Sequence, residues 1–143
     1  MNSLAKLLSM PGENRRLLAR ALATNIHARI ALHVLSLERL KAWATRPGSG
    51  AVDIERVVWA GRAAARRTPF ATCLSSALAL QHLLARNGHA SELHIGVAGQ
   101  AGAFAAHAWL ERDGRILIGE EDRDRYTRLA SWAAAPAVRN EQA

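Results

Sequence analysis

Apolar residues recur at helical spacing from the start of the chain to Leu84 and then switch to alternation. Met10-Pro11-Gly12-Glu13 breaks any helix formed by Leu4 to Leu8, because proline has no N–H to give and holds φ fixed. Beyond it Leu17, Leu18, Ala21, Leu22, Ile26, Ala28, Ile30, Ala31 and Leu32 carry the apolar positions of one or two helices beginning near Asn14, with a break at Ser36 before Leu37 to Thr45. Arg46-Pro47-Gly48-Ser49-Gly50 is the clearest loop. Asp53 is placed to cap a further helix from Ile54 to Arg66, whose apolar side carries Ile54, Val57, Val58 and Ala65. Gly61 falls on that side, at a cost of about 1 kcal/mol of helix stability against alanine.

Pro69 disfavours helical backbone at Thr68, so another helix must begin after it. Thr72 is a suitable N-cap, and Leu74, Ala77, Leu78, Leu80, Leu83 and Leu84 follow at helical spacing until Asn87-Gly88 supplies the stop. Ser91 to Val97 alternates with period two and predicts a strand; Ala98 to Phe104, rich in glycine and alanine, predicts a loop. Ala105 to Arg112 and Arg115 to Gly119 read as two strands joined by Asp113-Gly114, since both central residues of a type I′ turn need positive φ. From Tyr126 to Ala135 the pattern predicts a short helix with Leu129 and Trp132 packing back, and Asn140 to Ala143 is expected to fray. Helices first and a small antiparallel sheet last make an α+β fold, expected as one domain over residues 1–143, helical over residues 1–67 and continuing through the nucleophile helix and sheet over residues 68–143.

At 143 residues the chain can bury roughly two-thirds of its unfolded surface, and its 50% hydrophobic content argues against disorder. One cysteine excludes an internal disulfide framework and fits a reducing cytoplasm. Met1 to Met10 shows no signal-peptide pattern, and no apolar run approaches the ~18 residues of a membrane span. The net charge of +7 invites a nucleic-acid reading, but Arg15 and Arg16, Arg62, Arg66 and Arg67, Arg112 and Arg115, and Arg123, Arg125 and Arg128 are dispersed and lack interleaved aromatics. A solvated basic surface is the expectation, one that can attract an acidic peptide or partner protein, with Arg66-Arg67 placed to flank a substrate groove. His27, His33, His82, His89 and His94 show no ligand spacing with cysteines or carboxylates, so neither a metal nor a cofactor is expected.

The chemistry converges on Cys73. At the first turn of its helix, unpaired backbone N–H groups and the positive end of the dipole favour a thiolate nucleophile. Its base must come from elsewhere, and the hairpin offers one. With Asp113 and Gly114 as the loop, Arg112 pairs with Arg115, Leu110 with Leu117, Trp109 with Ile118 and His107 with Glu120; a three-residue loop would bring Glu121 opposite His107 instead. Opposed residues share a face with Cβ atoms about 4.5–5.5 Å apart, so an acid there can orient the imidazole. Nucleophile, base and orienting acid are the parts of a catalytic triad. Trp109 shares the face of His107 and is expected to pack beside it.

Thr72-Cys73-Leu74-Ser75-Ser76-Ala77-Leu78-Ala79-Leu80, Leu83-Leu84-Ala85-Arg86-Asn87-Gly88-His89, Leu93-His94-Ile95-Gly96-Val97 and Phe104-Ala105-Ala106-His107-Ala108-Trp109-Leu110-Glu111-Arg112-Asp113-Gly114 together resemble the lasso-peptide biosynthesis leader peptidases. These belong to the transglutaminase-like, papain-related cysteine protease superfamily. The resemblance is detailed over about half the chain, and the N-terminal helical half agrees in length and character only. It implies that residues 68–143 are a transglutaminase-like catalytic core, that Cys73 is the nucleophile and His107 the base, and that the reaction cleaves the leader from a ribosomally made precursor peptide. The family's third member is usually an aspartate shortly after the hairpin; here the chain departs, reading Gly119-Glu120-Glu121-Asp122, so Glu120 is taken from the register with Asp122 as fallback. Two partners are also implied, a small leader-binding protein and an ATP-dependent macrolactam-forming synthetase. The same residues leave two other readings open: acyl transfer to an amine, and a non-catalytic scaffold or binding module in which Cys73 is only core.

Overall fold

The computed structural model describes residue 5 and residues 8–100, 103–119 and 126–134. The Pro11 carbonyl accepts the Asn14 and Arg15 N–H groups, which starts α1 (Gly12–Val34) two residues ahead of the position expected from sequence. Ser36 then caps α2 (Leu37–Ala44) by accepting the Arg39 N–H, and Asp53 caps α3 (Ile54–Arg67) by accepting that of Arg56. Thr72 caps α4 (Cys73–Arg86), which ends at Asn87 and Gly88. Three of these starts therefore rest on an oxygen-bearing side chain that satisfies an N–H the helix itself cannot. Among the described residues, no helix is long and apolar enough to cross a membrane.

The helices and one face of the sheet share a core in which Leu18, Val57, Leu80, Leu93, Leu110 and Leu117 are buried. α3 and α4 meet at Gly61, where a Cβ would lie 2.7 Å from Leu80 Cδ1. That is well inside the ~3.5–4.0 Å at which carbons sit comfortably, so the glycine that weakens α3 as a helix is what allows α4 to approach. α2 is fastened to α4 by His82, whose ring stacks on Trp43 at 4.1 Å and whose Nδ1 lies 2.7 Å from the Trp43 carbonyl oxygen.

β1 (Ser91–Gln100), β2 (Ala103–Arg112), β3 (Arg115–Ile118) and β4 (Thr127–Ala134) form an antiparallel sheet in the order β3-β2-β1-β4. Together with the helices it makes an α+β fold. Leu93, Leu110 and Trp132 face the helices, and the Trp132 indole N–H donates to Gln81 Oε1 of α4 at 2.9 Å.

Three expectations are corrected. The Ala98–Phe104 loop is mostly strand, since β1 and β2 stay paired out to Gln100 opposite Ala103; strand preference depends on pairing context more than on residue type. The predicted helix over Tyr126–Ala135 is β4, paired with β1 from Ser91 opposite Ala134 to Val97 opposite Thr127. Its alanines favour helix by only about 0.7 kcal/mol or less per residue, whereas the free edge of β1 offers a row of unpaired backbone groups. Leu129 is consequently 65% exposed, while Trp132 packs back as expected. The third correction concerns the hairpin. Asp113 and Gly114 take φ of 52° and 83°, and Arg112 pairs with Arg115 and Glu111 with Ile116, but a bulge follows and Leu110 faces Ile118. The pairings of Leu110 with Leu117 and of Trp109 with Ile118 are therefore not formed.

Candidate active site

Cys73 is the first residue of α4 and half-buried. A reciprocal capping box fixes the turn it stands on: the Thr72 hydroxyl accepts the Ser75 N–H at 3.1 Å and the Ser75 hydroxyl accepts the Thr72 N–H at 2.9 Å. The first intrahelical bond runs from Ser76 N–H to the Thr72 carbonyl, so the Cys73 N–H lies ahead of the ladder and is free to point at a ligand. Just upstream, a turn over Thr68–Ala71 presents Phe70, 54% exposed, with its carbonyl held by Arg29 Nε.

His107 lies on β2 opposite Gly96 and is half-buried. Its ring stacks on Tyr126 at 5.8 Å, and Tyr126 in turn meets Trp109 at 5.9 Å, so Tyr126 bridges the two rings. Gly96 makes room for this row: a Cβ there would sit 2.9 Å from Tyr126 Cβ and 3.2 Å from Trp109 Cη2.

The two residues share one end of the fold. Gln81 Nε2 reaches the Ser91 carbonyl at 3.5 Å, next to the Glu92–Glu111 pair, which levels the middle of α4 with the end of β2. From Gln81 back to Cys73 the helix rises about 12 Å. From Glu111 back to His107 the strand runs about 14 Å in the same direction. Across the sheet they are not joined. Strand alternation turns Leu110 toward α4 and His107 with Trp109 toward the other face, and among the described residues no hydrogen bond links Cys73 to His107. Glu120, Glu121 and Asp122 lie outside the described residues. The bulge between Leu110 and Glu111 removes the register from which Glu120 is chosen.

Residues 17–131 match the family described as the transglutaminase-like superfamily, a span that takes in Cys73, His107 and most of β4. The chain belongs to the transglutaminase-like superfamily. No curated protein and no solved structure matches it. The superfamily generally comprises cysteine-dependent enzymes, and in this transglutaminase-like chain the lone cysteine stands at the capped start of the helix that packs on the sheet.

One group of residues comes together only in the folded sheet. Against the expectation that His94 has no ligating carboxylate, Glu92, His94 and Glu111 bring one ligand atom each to within 4.8 Å of one another. A signal for it exists in the chain: Glu92 and His94 stand two apart on one strand, Trp109 and Glu111 two apart on the next, and period-two alternation puts all four on one face.

Proposed function

We propose that this protein is a cytoplasmic cysteine peptidase that removes the leader from a lasso-type ribosomal precursor peptide. The observation that carries the reading is Cys73 at the capped start of α4, inside a transglutaminase-like span that also contains His107. The Cys73 thiolate attacks the scissile carbonyl and forms a tetrahedral intermediate, whose oxyanion is met by the Cys73 backbone N–H ahead of the helix ladder. Protonated His107 gives its proton to the departing amine as the C–N bond breaks. A water, deprotonated by His107, then hydrolyses the thioester and regenerates the thiolate. Alternation turns His107 away from the sheet face on which α4 packs, so this proton transfer requires β2 to bring the imidazole round to Cys73 when substrate binds. Glu120 is the proposed orienting acid, with Glu121 and Asp122 as the neighbouring choices. A leader-binding protein that delivers the precursor and a macrolactam-forming synthetase that closes the ring are the proposed partners.

The test is mass spectrometry of a precursor peptide incubated with the leader-binding partner and either wild-type protein or Cys73→Ala. A single cut that disappears in the variant is expected. Equal cutting by both proteins would refute Cys73 as nucleophile, and an amide product formed only with added amine would assign the site to acyl transfer instead.

A further inference from the structure

We propose that Glu92, His94 and Glu111 form a binding site for a divalent cation of the zinc class, clamping β1 to β2 at the end of the sheet away from His107. Glu92 faces Glu111 and His94 faces Trp109 in the β1–β2 register, so alternation alone assembles the three on the sheet face turned away from the helices.

His94 is the residue that demands a ligand. It is 4% exposed, and neither Nδ1 nor Nε2 has a hydrogen-bond partner. Nε2 points between the two carboxylates, 3.6 Å from Glu92 Oε1 and 3.7 Å from Glu111 Oε2. Those separations are too long for hydrogen bonds. They are close to the spacing of two ligand atoms on one tetrahedral ion, which at metal distances near 2.1 Å stand about 3.4 Å apart.

The surroundings suit the same occupant. The Trp109 indole N–H donates to Glu111 Oε2 at 2.6 Å, fixing a ligand carboxylate as an outer partner does in metal centres. Glu92 is 60% exposed and borders, with Glu111, a cavity of about 430 Å³, which gives a path of entry and room for a water as fourth ligand. One nitrogen and two oxygen donors suit Zn²⁺, Co²⁺, Mn²⁺ or Fe²⁺ rather than a thiolate-seeking ion.

The experiment titrates tag-free protein with Co²⁺, followed by its visible absorption, and separately with Zn²⁺, followed by calorimetry and by loss of the Co²⁺ bands. We expect one equivalent of either ion to bind, each displacing the other. Trp109→Phe should weaken binding by roughly 10–100-fold, the usual effect of losing an outer partner, and Glu92→Gln or Glu111→Gln by more. Glu92→Gln changes an exposed side chain and leaves the fold to be checked by circular dichroism. Cys73→Ala should bind as wild type does. The proposal fails if wild-type protein takes up no stoichiometric ion, if Glu92→Gln binds as tightly as wild type, or if Cys73→Ala abolishes binding.

Discussion

Replacing Gly61 with alanine sets two effects of known size against each other. Alanine favours the helix over glycine by about 0.8–1.0 kcal/mol. The new methyl, however, would stand 2.7 Å from Leu80 Cδ1 and 3.4 Å from Cγ, and Leu80 is fully buried. To restore normal contact the leucine must retreat by about 1 Å into a packed core. Overpacking of this kind costs about 1–3 kcal/mol, so the net change should be a loss of about 0–2 kcal/mol. The sign should reverse in a Leu80→Ala background. There only Leu80 Cβ remains, at an ordinary 3.5 Å, and the added methyl partly fills the space vacated. Leu80→Ala alone should cost about 2–5 kcal/mol. Urea unfolding of the four proteins, read by far-ultraviolet circular dichroism at constant m value, closes the cycle with a coupling of about 1–3 kcal/mol. If Gly61→Ala stabilises both backgrounds equally by the full propensity gain, α3 and α4 are not held against each other at this point.

Thr72→Ala removes the acceptor for the Ser75 N–H and should cost about 1 kcal/mol, with slower alkylation of Cys73 by iodoacetamide at neutral pH; Thr72→Ser should restore both, and an unchanged alkylation rate would separate the cap from the thiol. Burial holds the His82 imidazole below its ordinary proton affinity, against a smaller upward pull from its bond to the Trp43 carbonyl. As pH falls through about 6.5 the unfolded chain takes up a proton that folded His82 refuses, so stability should drop by at most about 1.4 kcal/mol per pH unit until the folded group titrates. His82→Phe keeps a ring on Trp43 and should flatten the dependence of melting temperature on pH between 7.5 and 5.5, roughly one unit either side of that value; an unchanged slope would assign the acid sensitivity to other groups.

Local chemistry is legible in the sequence and distant contact is not. Ser36, Asp53 and Thr72 bond within three residues of themselves, and Asp113-Gly114 dictates its own turn, so each is visible in a short window of sequence. Cys73 at a helix start belongs to this class. The fate of Thr127–Ala134 is decided by β1, whose paired residues lie thirty or more positions away along the chain, against the modest helix preference of its alanines. The bulge beside Leu110 is another product of the assembled sheet, and the choice of an acid for His107 depends on it. The Glu92–His94–Glu111 group is hidden for a simpler reason: its third member stands on the neighbouring strand and joins the other two only once β1 and β2 have paired.

The strand order also bears on how the molecule is made. β1 is an inner strand, but one of its two neighbours is β4, the last described element. A nascent chain that has emerged as far as Ile118 already contains Cys73, His107 and helices α1 to α4, yet β1 still presents a bare row of N–H and C=O groups to any passing strand. Until Thr127–Ala134 arrives, every catalytic candidate except the acid is present in a molecule primed to pair with its neighbours on the polysome. The closing strand therefore acts as an internal guard against self-association, and a fragment ending after the hairpin would lack it permanently.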